Sequence, residues 1–140
     1  MRSLRPILLV EDDDVDAMTI ERTLKDLSVG NQLVNTSNGE QALEYLRTKG
    51  NKKPCFILLD LNMPKMNGLE FLEVIKADMK LKKVPVVVLT TSSQQQDITE
   101  CFRLGVAGYI IKSIDYEKFV ETIRKVHEYW TTSELPSNGE

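Results

Sequence analysis

Five carboxylates occupy six positions at Glu11-Asp12-Asp13-Asp14-Val15-Asp16, directly after the apolar run Ile7-Leu8-Leu9-Val10. Two more apolar runs end on charge in the same way: Phe56-Ile57-Leu58-Leu59 meets Asp60, and Tyr109-Ile110-Ile111 meets Lys112. If the runs are parallel strands of one sheet, the charges converge on its carboxyl edge, where open α/β sheets place ligand sites. Two unit charges about 4 Å apart interact by roughly 4 kcal/mol at an effective dielectric near 20, so carboxylates gathered there need a counterion or a proton. The ligands on offer are carboxylate and carbonyl oxygens, with neither histidine nor thiolate in the pattern, which suits Mg²⁺ better than Zn²⁺. Carboxylates joined by one lysine point to a metal ion and a phosphoryl group.

Two other readings of the acidic run compete with this one. Carboxylates at a helix N-terminus are favoured by the helix dipole, which accounts for Asp14 and Asp16 but not for Glu11 and Asp12, the residues that leave the strand into the crevice. The spacing Asp12-x-Asp14-x-Asp16 also opens an EF-hand loop, but the required glycine position is Ala17 and the closing glutamate position is Thr23.

The elements that must position these residues follow from periodicity. From Ile7 to His127, short β-rich runs alternate with segments of helical period, the pattern of a parallel sheet covered by helices. Strands are expected at Ile7 to Val10, Gln32 to Thr36, Cys55 to Asp60, Val86 to Thr90 and Gly108 to Ile111, with the second, the most polar, at an edge. Apolar stripes Ala17-Ile20-Leu24-Leu27, Leu69-Leu72-Ile75-Met79 and Phe119-Ile123-Val126-Trp130 mark the faces of three helices. Ser37 and Glu40 have capping-box spacing at the start of the second helix, which should stop at Gly50. Asn67-Gly68 marks the turn into the third helix, and Gly105 the end of the fourth. Thr131 to Glu140 is polar and aperiodic, giving one domain over 1–130 and a flexible tail over 131–140.

The 140 residues, 41% hydrophobic and 28% charged, suit one compact domain, so any output domain is expected in another protein. A formal charge of −3 argues against a dedicated nucleic-acid binder. With no stretch near the roughly 20 apolar residues of a membrane helix and no signal-peptide core, the expectation is a cytoplasmic protein without a membrane partner. Cys55 and Cys101 lack metal or redox spacing and read as buried thiols.

Taken in order, the acidic pair after the first strand, Asp60-Leu61-Asn62-Met63-Pro64-Lys65-Met66-Asn67-Gly68 after the third, Thr90 after the fourth and Gly108-Tyr109-Ile110-Ile111-Lys112 at the fifth resemble a receiver domain of a two-component response regulator. The resemblance covers about Ile7 to Tyr129. It implies a flavodoxin-like (βα)5 doubly wound sheet of order 2-1-3-4-5. It makes Asp60 the phospho-acceptor and, with Asp12, a direct Mg²⁺ ligand; Glu11 would act through a metal-bound water and Asn62 through its backbone carbonyl. Thr90 and Lys112 would each meet a phosphoryl oxygen. Thr90 would couple to Tyr109 as the switch, and Asn62 and Ser92 would tune dephosphorylation. One departure is Ser113, where the family usually has a proline, often after a cis bond; a cis bond before a non-proline costs about 2.5–4 kcal/mol, so the loop is either trans or held cis by its surroundings. Ser113 or Asp115 can cap the fifth helix.

The implied partner is a sensor histidine kinase or a histidine phosphotransfer protein. The size, the expected lack of an effector domain and the stretch Leu89-Thr90-Thr91-Ser92-Ser93 also resemble stand-alone receivers that serve bacterial phytochrome kinases. A face made by the fourth helix, fifth strand and fifth helix, with Ile98, Phe102 and Tyr116, would serve homodimerisation. The implied activity is autocatalytic phosphotransfer and self-dephosphorylation, without a separate enzyme function. The alternatives are an aspartate-nucleophile phosphatase or phosphotransferase, which would place a second aspartate where Asn62 stands, a flavodoxin-like cofactor module, which needs a Ser-, Thr- and Gly-rich phosphate loop where Glu11 to Asp14 would repel a phosphate, and a degenerate receiver used as a scaffold. His127, the sole histidine, has no motif near it that would make the chain a histidine phosphotransfer protein.

Overall fold

Every residue of Ile7-Leu8-Leu9-Val10 is apolar, so alternation along the strand presents two apolar faces, and both must be covered. The computed structural model, which describes residues 5–27 and 30–132, covers them with helices on both sides. The elements run β1 (Ile7–Val10), α1 (Asp14–Asp26), β2 (Leu33–Thr36), α2 (Gly39–Arg47), β3 (Phe56–Leu59), α3 (Gly68–Lys76), β4 (Val86–Thr90), α4 (Gln95–Arg103), β5 (Gly108–Ile111) and α5 (Tyr116–Thr132). The five-stranded sheet has the order β2-β1-β3-β4-β5 with every pair parallel, as expected. Ile7 and Leu9 pack with Ala17, Ile20 and Leu24 of α1 and Phe119, Ile123 and Val126 of α5. Leu8 and Val10 pack on the other face with Leu43, Phe71, Leu72, Ile75 and Cys101. Both cysteines are buried thiols.

Strand register brings the charged ends together. Val10 pairs with Leu59, and Thr90 with Ile111, so Glu11, Asp60 and Lys112 each follow the last rung of their strand. The chain leaves β1 toward β2 on one side and β3 on the other, and the crevice opens at this reversal of direction. β2 lies at an edge, as its polarity predicted. The ladders end one residue inside the expected limits at Gln32, Cys55 and Asp60. Hydrogen bonding still continues there: Ile7 N–H donates to Gln32 O at 2.8 Å, and Cys55 N–H to Pro6 O at 2.8 Å.

Two local expectations are corrected. The cap of α2 is Asn38, whose side chain accepts from Gln41 N–H at 2.9 Å, while Gln41 Oε1 accepts from Ser37 N–H at 2.8 Å. The cap is thus shifted one residue from Ser37, with the Gln41 side chain reaching the residue before the cap rather than closing a box, and Gly39 begins the helix with its N–H on Met66 O at 3.1 Å. The α3 stripe ends at Ile75, because Asp78 N–H turns back onto Ile75 O and Asp78 Oδ1 accepts from Lys80 N–H. Met79 is exposed, and Leu81 is buried in the core instead. Gly50 and Gly105 take positive φ just beyond α2 and α4, as the stop signals predicted. The Trp130 side chain, and the expected tail from 133 onward, lie outside the described residues.

Candidate functional site

Asp60 is the first residue past β3, where its N–H donates to Val10 O at 3.0 Å. Glu11 stands one strand away, its own N–H on Thr36 O at 3.0 Å. Both are buried, and an oxygen from each lies within 4.8 Å of the other and of an exposed Asp12 carboxylate oxygen. An open cleft of about 540 Å³ lies against them, with Asn62, Thr91 and Lys112 also on its walls. Among the described residues, the Asp60 side chain has the lysine at 3.9 Å and accepts a hydrogen bond only from the Asn62 N–H, at 3.5 Å, a weak contact. Buried carboxylates held this close repel one another. An all-oxygen donor set of this kind fits a hard divalent cation such as Mg²⁺.

Lys112 closes the site from β5, where its N–H donates to Thr90 O at 2.7 Å. Its Nζ lies 2.6 Å from Glu11 Oε1, 2.8 Å from Asp16 Oδ2 and 3.9 Å from Asp60 Oδ2. Burial pushes the Glu11 carboxyl up to about 7, with repulsion from Asp60 adding to it, against the lowering by the Lys112 ammonium. Burial alone would lower the Lys112 pKa, but bonds to Asp16 and Glu11 and the charge of Asp60 hold it above its ordinary value. The Lys112–Ser113 peptide is trans, like the other described peptide bonds, and the lysine still reaches the carboxylates. Asp115 caps α5, its Oδ1 accepting from Lys118 N–H at 3.2 Å, while Ser113 Oγ accepts from Asp115 N–H.

The two expected switch residues meet at Ser92. Thr90 is fully buried, and its Oγ1 is 3.4 Å from Ser92 N–H. The Tyr109 hydroxyl donates to Ser92 O at 2.9 Å, so a single residue links the two members of the expected switch. Ser92 Oγ is itself engaged, donating to Asp97 Oδ2 at 2.7 Å, and at this strand end Thr91 forms the cleft wall. Asn62 is exposed on the opposite wall. The residue that sequence reasoning missed is Asp16. Its place in the first turn of α1 made the helix dipole a sufficient reason for it, and only the β5 register brings Lys112 to it.

Comparison with known proteins agrees with this geometry. The family model described as "Response regulator receiver domain" matches residues 7–124. The chain is 39% identical over 127 residues to a probable methanogenesis regulatory protein, FilR2, of Methanothrix harundinacea, covering 89% of this chain and 82% of that one. It is 35% identical over 136 residues to the response regulator Rcp1 of a Synechocystis species, covering 94% and 92%. Among solved structures, the phosphorylated cyanobacterial phytochrome response regulator RcpA superposes with a TM-score of 0.89 at 39% identity, covering 95% of this chain and 99% of that one. The Mn²⁺-bound form of Rcp1 gives 0.89 at 35% identity, with the same coverage. A family match spanning all three charged strand ends, and relatives that agree over nearly their whole length, make the conclusion direct: the chain belongs to the response regulator receiver domains, the phosphoryl-accepting signalling domains of two-component systems.

Proposed function

We propose that Asp60 accepts a phosphoryl group from a phosphohistidine of a sensor histidine kinase or histidine phosphotransfer protein, and that the phosphorylated chain signals by altered partner binding. One observation carries this reading. Asp60 is a buried carboxylate with only weak contacts of its own, set beside two further carboxylates and a buried lysine on an open cleft. Asp12, Asp60 and the Asn62 carbonyl would hold Mg²⁺ directly, and Glu11 through a water. When bound, the ion offsets charge on the phosphoryl oxygens.

An Asp60 carboxylate oxygen attacks phosphorus, the P–N bond to the donor imidazole breaks, and the departing nitrogen keeps the electron pair and takes a proton. Lys112 screens the negative donor and acceptor from each other, and Thr90 donates its hydroxyl to a second phosphoryl oxygen. Hydrolysis of the acyl phosphate by water restores the carboxylate and resets the signal, with Asn62 and Ser92 tuning that rate. Asn62, where an aspartate-nucleophile phosphatase would carry its acid, supports a chain without a separate turnover activity. Incubation with Mg²⁺ and acetyl phosphate should add one phosphoryl mass, and Asp60→Asn should remove it. Persistence of the added mass in that variant overturns the assignment.

Phosphorylation biases a two-state equilibrium through Thr90 and Tyr109, whose shared contact at Ser92 supports the coupling. The likeness to RcpA supports a phytochrome-type kinase as the donor. The α4-β5-α5 face carries exposed Phe102, Ile111 and Tyr116, with Ile98 half-buried, which supports homodimerisation there. Sedimentation should show a concentration-dependent dimer that Phe102→Glu dissociates. A monomer at every concentration, with and without a beryllofluoride phosphoryl mimic, would remove this part of the reading.

A further inference from the structure

Lys112 sits among three carboxylates and bonds closely to two of them. Its Nζ is 2.6 Å from Glu11 and 2.8 Å from Asp16, but 3.9 Å from Asp60. At 3.9 Å the ammonium is outside hydrogen-bond distance of Asp60, and any movement of it toward a phosphoryl oxygen there stretches one of the short contacts. The two partners differ in what release would cost. The Glu11 side chain is 2% exposed, and parting it from the lysine leaves a buried charge unpaired. The Asp16 side chain is 28% exposed and can turn into water. Its backbone stays fixed through that rotation, because Asp16 N–H is held by Asp13 Oδ1 at 3.0 Å. Asp16 is also outside the set of carboxylates placed to share a metal.

We propose that Asp16 is the resting-state partner that Lys112 exchanges for the phosphoryl oxygen on Asp60. It is a positioning residue, acting on the reaction only through the lysine, and the proposal rests on Asp60 as acceptor. While unphosphorylated, the Asp16 carboxylate draws the ammonium away from Asp60. A phosphoryl donor must therefore compete with it, and it adds one negative charge where an anionic donor approaches. Both effects slow phosphorylation, so Asp16 sets a threshold against weak donors.

Two measurements test this. In the Mg²⁺-free, donor-free protein, the Lys112 side-chain ammonium should give a protected signal in ¹H–¹⁵N spectra, and Asp16→Asn should shift it or lose it to exchange. With Mg²⁺ and acetyl phosphate, Asp16→Asn should phosphorylate about five- to tenfold faster, the scale expected for one partly exposed charge-assisted contact. Asp16→Glu, which keeps the charge, should return the rate toward that of the unaltered chain. An unshifted ammonium signal, or an unchanged or lowered rate in Asp16→Asn, overturns the proposal. The ammonium measurement involves no phosphorylation, so failure of Asp60 as the acceptor would show separately, as phosphorylation that survives Asp60→Asn.

Discussion

Lys112→Met is expected to lower the rate of phosphorylation by acetyl phosphate by about 100-fold, the scale of losing one preorganised charge-stabilising donor. The variant should also lose stability in a way that depends on pH. Glu11 has its pKa raised from 4.5 to about 7, mainly by burial. A carboxyl raised in this way binds more protons folded than unfolded, so the stability present at acid pH is lost as pH rises through about 7. Lys112 limits that loss, through its hydrogen bond and its charge. Its own pKa is raised above 10.5, so its contribution is present below that value and disappears at higher pH. The methionine variant should therefore fall furthest behind between about pH 7 and 10, by about 1–3 kcal/mol. That is less than for a pair that cannot adjust, because Glu11 can take a proton and Asp16 can reach solvent. Urea midpoints across the pH range measure the difference. A gap that is equally wide at acid pH would show that Glu11 does not set it.

The strand-end charges were legible in the sequence because a parallel sheet turns sequence position into spatial position: residues following buried runs meet at one edge whatever the helices do. Glu11, Asp60 and Lys112 therefore follow from the apolar runs before them, and their roles from the motif order. Asp16 was not legible, since its partner Lys112 follows β5, near the far end of the chain, and helix-terminal acids have a local reason of their own. The α2 cap failed for a related cause. Ser37 and Asn38 are both good caps, and the choice falls to Gly39, which docks on Met66 of the β3–α3 loop. Met79 continues a helical period that Asp78 ends with its own side chain, a competition that apolar spacing does not register.

That same β3–α3 loop makes Gly68 the position where a single methyl group should do the most damage. A Cβ built on Gly68 would lie 2.5 Å from the Asp60 carbonyl oxygen and 2.7 Å from Leu61 Cα. Both are backbone atoms held by the sheet and by the Gly68 N–H, which donates to Leu61 O at 3.0 Å, so neither can give way cheaply. Gly68→Ala should cost about 3–4 kcal/mol, at or above the upper end for overpacking a core. Gly105→Ala separates this steric effect from glycine's conformational freedom. Gly105 has φ +88 but open space, with Lys76 Cε the nearest atom at 4.0 Å, so its cost should be only about 1 kcal/mol. Urea unfolding of the two variants gives the comparison directly. The folded fraction of Gly68→Ala should also phosphorylate more slowly, because any relief of the clash moves the backbone of Asp60. Equal losses in the two variants, or normal phosphorylation in Gly68→Ala, would show that the loop yields elsewhere and that the acceptor is not held from this side.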